Sequence, residues 1–350
     1  MKLITRTLLA AWLDTLAESY TLIAPRLVDG ELLYRPVAAN GGSEIVLDFQ
    51  RTALSPKPFF LPSTQVILEV DRRGQEVTLA EPELVRDQVI WGVRPCDARG
   101  LRALDALLLD RPPPDAYYAE RRDRTVLIGL ACPQLWAGCF CTSLGSAPDD
   151  ASAVDLMLYP DGDDYLAEPV TARGAALLDQ VAADETERSP AALDQSGTRQ
   201  VPVLPPEAWA ALFDSVYWQR LADRCLSCHA CTYVCPTCRC FDVRDDTVAA
   251  GPGFAHIQRL RAWDSCLAAG YRRIAGGHNP RPTKAQRLRN RYYCKFCYSP
   301  LDFGAVACVG CGRCIAVCPV GIDIAEMLAE AYALSLAAGV TTESETSGEP

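Results

Sequence analysis

Six cysteines fall within the stretch "CLSCHACTYVCPTCRC", which occupies residues 225–240. The spacing Cys-x2-Cys-x2-Cys-x3-Cys-Pro begins there at Cys225 and occurs again in "CVGCGRCIAVCP", where it begins at Cys308. Two copies of this spacing are typical of proteins with two 4Fe-4S clusters. Each cluster needs four soft thiolate ligands, and one tight loop supplies three of them. The sequence therefore predicts two four-iron clusters.

In proteins with this motif, the fourth cysteine of each copy ligates the cluster that the other copy holds. The predicted ligands of the first cluster are therefore Cys225, Cys228, Cys231 and Cys318. The predicted ligands of the second cluster are Cys308, Cys311, Cys314 and Cys235. Zinc is disfavoured, because zinc sites usually combine two separated Cys-x2-Cys pairs or include histidine, and the chain has only three histidines.

A further group of cysteines lies in the N-terminal half of the chain. Cys96 stands in "GVRPCDARG", at a predicted strand-to-helix turn where Asp97 is a candidate helix cap, and Cys132 follows the predicted strand "RTVLIGLA". Cys139 and Cys141 come shortly afterwards in "GCFC". Together these thiols could converge on one sheet edge and hold a third cluster. The alternative for Cys96 is a thiol at a helix N-terminus, either structural or with a lowered pKa.

A long insert separates the two motifs and carries additional cysteines. Its segments "PTCRC" and "YCKFC" could together supply a zinc site or an extra iron-sulfur site. We favour buried free thiols beside the clusters, because cysteine behaves as a small hydrophobic residue. The cysteines concerned are Cys238, Cys240, Cys266, Cys294 and Cys297.

The insert also contains the basic stretch "RPTKAQRLRNRYYCK". One interpretation is a surface for nucleic acid or a partner protein. The chain has a formal net charge of -10, however, and nucleic acid and anionic membranes both require a positive footprint. We favour local charge compensation of anionic clusters or protein docking. The basic residues are Arg281, Lys284, Arg287, Arg289, Arg291 and Lys295.

The elements that would position these cysteines begin with short strand-like runs, mostly bounded by Gly, Pro, Asn or Asp. The runs are "EIVLDF", "QVILEV", "EVTLA", "QVIWGV", "RTVLIGLA" and "VDLMLYP". Apolar residues at helical spacing predict helices near the N-terminus, at 97–110 and at 171–183. This pattern predicts a mixed α/β arrangement with a partly antiparallel sheet.

The C-terminal part begins after a proline-rich polar stretch. "EAWAALFDSVYWQRLADRC" has one apolar helical face and leads into the first motif, and a last helix is predicted at 323–338. The predicted class is α+β: an N-terminal mixed α/β domain followed by a ferredoxin-like dicluster domain with a helical insert. The predicted divisions are a docking domain at 1–183, a linker at 184–206, the dicluster domain at 207–340 and a disordered tail at 341–350.

Several signals are missing from the sequence. The first apolar run is short and has no clear cleavage site, and no stretch approaches the roughly 20 apolar residues that span a bilayer. We therefore expect a cytoplasmic protein with reduced thiols and no membrane partner. No GxGxxG or phosphate-binding loop occurs, and neither do the common hydrolase signatures. We predict no catalytic residue and no nicotinamide or flavin site in this chain.

Taken together, the motifs resemble those of a known family. "RCLSCHACTYVCPTCRCFDV", "GGHNPRPTKAQRLRNRYYCKFCY" and "CVGCGRCIAVCPVGIDI" resemble the dicluster beta subunits of cytoplasmic NAD(P)-linked nickel-iron hydrogenases of the sulfhydrogenase type. The A subunit of anaerobic sulfite reductase is similar. The likeness extends into the N-terminal half through "SPKPFFLPS", "WGVRPCDARG" and "CFCTSLG". One departure is Cys294, where the family commonly has histidine.

The resemblance implies a non-catalytic electron-transfer subunit of an oxidoreductase complex. Its partners would be a gamma-type flavin subunit that exchanges hydride with NAD(P)H, and the small and large hydrogenase subunits. The alternative is the A subunit of a sulfite or polysulfide reductase, in which a sirohaem subunit takes the place of the hydrogenase. No nucleic-acid partner is expected in either case.

Overall fold

The computed structural model describes residues 1–39, 41–82, 86–192 and 198–339. The strands are β1 (Lys2–Ile4), β2 (Thr21–Val28), β3 (Glu31–Pro36), β4 (Thr64–Arg73), β5 (Glu76–Ala80), β6 (Gln88–Val93), β7 (Thr125–Leu130), β8 (Leu156–Asp161), β9 (Asp164–Pro169), β10 (Asp184–Glu185), β11 (Phe241–Gly251) and β12 (Phe254–Trp263). The helices are α1 (Arg6–Ser19), α2 (Pro95–Leu108), α3 (Ala116–Asp123), α4 (Ala172–Leu178), α5 (Tyr217–Arg224), α6 (Ala230–Tyr233), α7 (Lys284–Tyr293), α8 (Ser299–Phe303), α9 (Arg313–Ala316) and α10 (Ile324–Ala337). Short 3-10 turns lie at Gly42–Glu44, Lys57–Phe59, Cys141–Leu144 and Pro206–Leu212, and a π-helical turn lies at Cys294–Tyr298. The predicted mixture of helices and strands is confirmed.

The larger sheet has eight strands in the order β10-β1-β9-β8-β7-β6-β2-β3. Its centre is parallel, from β2 through β6 and β7 to β8, and the strands on both sides are antiparallel. Strand β6, "QVIWGV", is buried along its whole length because helices cover both faces of the sheet. Val89 and Trp91 pack towards α1 and α4, whereas Ile90 and Val93 pack towards α2. The partly antiparallel character predicted for this sheet is confirmed.

The smaller sheet joins the two halves of the chain. Its four antiparallel strands have the order β11-β12-β4-β5, so the hairpin at 241–263 pairs with strands at 64–80. The prediction of a helical insert was therefore wrong in part, since this hairpin precedes α7 within the insert. The sequence "FDVRDDTVAA" shows no clear apolar alternation, and the partner that stabilises the hairpin, β4, lies far away in the chain.

Other local predictions also needed correction. "EIVLDF" forms no strand, and only Ile45 makes an isolated bridge, to Arg26. The single helix expected at 207–225 is divided into the 3-10 turn Pro206–Leu212 and helix α5. The tail at 341–350 lies outside the described residues.

The C-terminal core is rich in aromatic side chains. Trp209 stacks on Phe296 with ring centroids 5.6 Å apart and an interplanar angle of 8°. Helices α5, α7 and α10 surround this core, and Leu204 of the predicted linker is buried in it. Helix α7 starts with a capping box formed by Thr283 and Gln286, a common helix-initiating arrangement. Among the described helices, none is long and apolar enough to cross a membrane.

Candidate iron-sulfur centres

The first cavity lies where helix α5 ends and the first cysteine motif begins. Its lining includes all four predicted ligands of the first cluster, Cys225, Cys228, Cys231 and Cys318. Backbone amides already point at two of these sulfurs: the Ser227 N–H donates to Cys225 Sγ at 3.3 Å, and the Ile322 N–H donates to Cys318 Sγ at 3.2 Å. Such bonds to sulfur help to set the reduction potential of a bound cluster.

The second cavity lies deeper, between the second motif and the N-terminal half. Its lining includes all four predicted ligands of the second cluster, Cys308, Cys311, Cys314 and Cys235. Each cavity thus includes three cysteines of one motif and the fourth cysteine of the other, as crossed ligation requires, and Cys314 lines the first cavity as well as the second. The assignment of individual ligands remains a prediction.

The donor set of both cavities fits iron-sulfur clusters. Within the described ranges, no three His, Cys, Asp or Glu side chains converge as they would on a single metal ion. A four-iron cluster is bound differently, because its four thiolates each take a separate iron and therefore surround the cluster. The four predicted thiol ligands in the lining of each cavity match that requirement.

Buried cations stand beside the second cavity. Lys295 is 3% exposed, and its ammonium lies 3.2 Å from Cys235 Sγ and 3.8 Å from Cys238 Sγ. Burial lowers the pKa of Lys295, but the thiolates of Cys235 and Cys238 outweigh burial and raise it above its ordinary value. Arg291 is also 3% exposed, lines both cavities and donates to the Cys231 carbonyl at 3.1 Å.

These neighbours favour the thiolate of Cys235. A hydrogen bond from Cys238 holds the pKa of Cys235 well below its usual value, and Lys295 and Arg291 lower it further against the opposing effect of burial. Burial raises the pKa of Cys308 to about 11. The surrounding protein therefore stabilises Cys235 in the charged form.

The remaining basic side chains of the insert mostly contact backbone carbonyl groups or an aromatic ring. Lys284 donates to the Cys225 carbonyl at 2.9 Å, and Arg287 donates to the Leu267 carbonyl at 2.9 Å. The Arg289 guanidinium stacks 3.5 Å above the Phe213 ring. Together with the burial of Arg291 and Lys295, these contacts fit charge compensation near the clusters better than a basic surface.

The N-terminal cysteines share one neighbourhood at the ends of β6 and β7. Burial raises the pKa of Cys132 to about 11 and that of Cys141 to about 12, and the charge of Cys139 adds to both effects. Burial also raises the pKa of Cys96 well above its usual value, with further contributions from Asp97 and Cys311. Each of the four thiols is thus in electrostatic reach of at least one other, and Cys96 and Cys139 are also in reach of Cys311 in the second cavity. A third cluster at this place remains a prediction.

Two loop contacts hold this neighbourhood against the second motif. The Phe140 N–H donates to the Gly310 carbonyl at 2.9 Å. Gly310 has a φ of +63°, and a Cβ at this position would lie 2.5 Å from the Cys141 nitrogen. Glycine is required here by the left-handed backbone and by the close approach of the two loops.

A buried ion pair was missed by the sequence analysis. Arg313 donates to both carboxylate oxygens of Asp97, at 2.5 and 2.9 Å, and the two side chains are 2% and 0% exposed. Asp97 was considered only as a helix cap, yet helix α2 has no side-chain cap. The two partners are distant in the chain, so no local signal indicated the pair.

The other cysteines of the insert are divided among different surroundings. Cys238 lies beside the second cavity, whereas a hydrogen bond from Cys266 lowers the pKa of Cys240 to about 6. Cys297 is buried in the aromatic C-terminal core. Cys238 and Cys240 of "PTCRC" therefore lie in surroundings different from that of Cys297 of "YCKFC", and the described residues show no group of three ligands for a single zinc ion.

Known proteins share these features. Residues 224–322 match the family described as the 4Fe-4S dicluster domain, and this range contains all eight cysteines predicted to hold the two clusters. "Sulfhydrogenase 2 subunit beta" of Pyrococcus furiosus is 34% identical to this chain over 310 residues, which cover 85% of the chain and 88% of the relative. The chain belongs to the sulfhydrogenase beta-subunit family. This relationship confirms the resemblance inferred from the motifs. The family match confirms that the chain contains an iron-sulfur dicluster domain. No solved structure matches the chain.

Proposed function

We propose that this chain is the electron-transfer subunit of a hydrogenase complex. It would hold two 4Fe-4S clusters and connect a flavin subunit that oxidises NAD(P)H, or reduces NAD(P)⁺, with a nickel-iron catalytic module. The observation that carries the proposal is the lining of the two cavities, since each combines cysteines from both motifs. Membership of the sulfhydrogenase beta-subunit family supports the choice of partners.

Bound clusters would supply one-electron redox chemistry, and the residues of this chain would hold and tune them. Cys225, Cys228, Cys231 and Cys318 would hold the first cluster, and Cys308, Cys311, Cys314 and Cys235 the second. Backbone amides donate to the sulfurs of the first set, and buried Lys295 and Arg291 supply positive charge near the second. The catalytic step itself is assigned to a partner, and this chain contributes no catalytic residue.

The two cavities differ in their access to solvent. Cys228 is exposed, and the neighbouring Leu226 side chain is 64% exposed. Cys308 and Cys311 are buried beneath the N-terminal half. We infer that the first cluster faces a redox partner, while the second lies towards Cys96, Cys132, Cys139 and Cys141, the residues that would hold a third cluster if the iron analysis shows one. We also propose that the protein is located in the cytoplasm, because a reducing environment leaves thiols free to bind iron.

Iron and acid-labile sulfide analysis of anaerobically purified protein tests the cofactor content. About eight irons per chain are expected for two clusters, and about twelve for three. Zinc without sulfide would contradict the proposal.

Substitution of the crossed ligands tests how the cysteines are shared. Cys318→Ala should remove the same electron paramagnetic resonance signal as Cys225→Ala, because both would ligate the first cluster. Cys297→Ala, which removes a buried thiol from the aromatic core, should leave both signals in place. If Cys318→Ala instead removes the signal that Cys308→Ala removes, the crossed arrangement is wrong.

The partner assignment is tested by anaerobic purification of the complex through a tag on this chain. Flavin and nickel should be recovered with the iron. Recovery of a sirohaem protein would favour the sulfite-reductase alternative and would contradict the hydrogenase assignment.

A further inference from the structure

Lys295 is a buried ammonium whose polar contacts do not include a carboxylate within the described part of the chain. Its Nζ contacts Cys235 Sγ at 3.2 Å, Thr237 Oγ1 at 3.1 Å, the Ala307 carbonyl at 2.9 Å and Cys238 Sγ at 3.8 Å. A buried charge without a compensating partner is strongly unfavourable. The anionic sulfurs of this site are the groups that can compensate the charge.

The same residue connects the two chain segments that form the second cavity. The ammonium reaches Cys235, which comes from the first motif, and also reaches Ala307, which directly precedes Cys308 of the second motif. The Ala307 N–H donates in return to the Lys295 carbonyl at 3.0 Å. Lys295 is thus fixed at both its backbone and its side chain.

The inward-pointing lysine belongs to an irregular helical turn. Lys295 lies in the π-helical turn Cys294–Tyr298 that follows α7, and such turns are rare and frequent at functional sites. Phe296 is anchored in the aromatic core by its stacking on Trp209. This anchoring holds the turn in place and leaves Lys295 facing the cysteines.

We propose that Lys295 positions the crossed Cys235 thiolate and raises the reduction potential of the second cluster relative to the first. The inference rests on the proposed function, because it requires Cys235 to ligate that cluster. Reduction adds a negative charge to the cluster. A fixed positive charge and a hydrogen bond to a ligand sulfur stabilise the reduced state more than the oxidised state.

The test is an anaerobic redox titration of the full chain with bound clusters, followed by electron paramagnetic resonance. The signal of the second cluster is the one that Cys235→Ser alters. Lys295→Met should lower the midpoint potential of this signal by at least 59 mV, a tenfold change in a one-electron equilibrium. The signal that Cys318→Ser alters should move much less.

Two conservative variants separate charge from hydrogen bonding. Lys295→Arg keeps the charge and should retain most of the wild-type potential, whereas Lys295→Gln keeps only a neutral donor and should lie between Lys295→Arg and Lys295→Met. Arg289→Met is the matched control, because it removes one positive charge from α7 where the side chain stacks on Phe213. It should move neither signal.

The outcomes distinguish this inference from the proposed function. Wild-type protein without two clusters would contradict the proposed function. The role of Lys295 would be overturned, and the proposed function would stand, if Lys295→Met kept two intact clusters with unchanged potentials. Equal shifts of both signals would have the same meaning. If Lys295→Met fails to assemble the second cluster, Lys295→Arg should restore it. Failure of Lys295→Arg as well would overturn the electrostatic role.

Discussion

The contact between Asp97 and Arg313 links the two cysteine-rich regions at the level of single residues. Asp97 follows Cys96 at the start of α2, and Arg313 lies between Cys311 and Cys314. Arg313 also donates to the Thr52 carbonyl at 3.0 Å. Replacing a buried pair as a whole is often tolerated, but removal of one partner leaves an uncompensated charge in the interior.

Asp97→Asn should therefore destabilise the folded protein by about 3–5 kcal/mol, the range measured for broken buried ion pairs. The measurement is the denaturant midpoint of the cluster-loaded protein, followed by circular dichroism under anaerobic conditions. Asp245→Asn provides the control, since the pair between Asp245 and Arg259 is about half exposed on strand β11 and its loss should have no measurable effect. Equal shifts in the two variants would refute the importance of burial at Asp97.

At the level of elements, the sequence predicts the motifs, helices and strands that depend on the local spacing of residues. The cysteine motifs, the apolar stripe of α1 and the continuous apolar strand β6 are all local patterns, and the structure has α1 and β6 where the sequence predicts them. The β11–β12 hairpin was missed because β4, which pairs with it, is distant in the chain. The sequence also predicts that cations of the insert, Lys295 among them, compensate the charge of the clusters, but it does not indicate the contact with Cys235, which is distant in the chain.

The loop at Gly310 offers a test of how closely the two halves approach each other. Gly310→Ala should cost about 1–2 kcal/mol for the left-handed backbone and a further ~1–3 kcal/mol for the clash with Cys141. Gly304→Ala is the matched control, because Gly304 has a φ of +65° but no atom within 4 Å of an added Cβ. The denaturant midpoint and the iron content should both fall further in Gly310→Ala. Equal losses in the two variants would mean that backbone strain alone decides the effect.

At the level of the whole molecule, the smaller sheet crosses the predicted boundary between the N-terminal half and the dicluster region. Strand β12 pairs with β4 from Phe254 opposite Arg73 to Ala262 opposite Thr64. Arg261 of β12 is 3% exposed, donates to Gln65 Oε1 at 2.8 Å and forms an ion pair with Asp115. The division at 184–206 stays a prediction, and these contacts favour two halves that depend on each other.

A fragment of residues 207–340 should consequently be less well folded than the same residues in the full chain. Without β4, strand β12 has an unpaired edge, and Arg261 loses the partners that bury it. Trypsin should therefore cleave after Arg261 rapidly in the fragment and slowly in the full chain. Cleavage after Arg273, an exposed residue beyond the hairpin, should be similar in both and serves as the internal control. Edge strands that lose their neighbours also tend to associate, so the fragment should aggregate more readily. A fragment that protects Arg261 and retains about eight irons would instead show that the dicluster region folds independently.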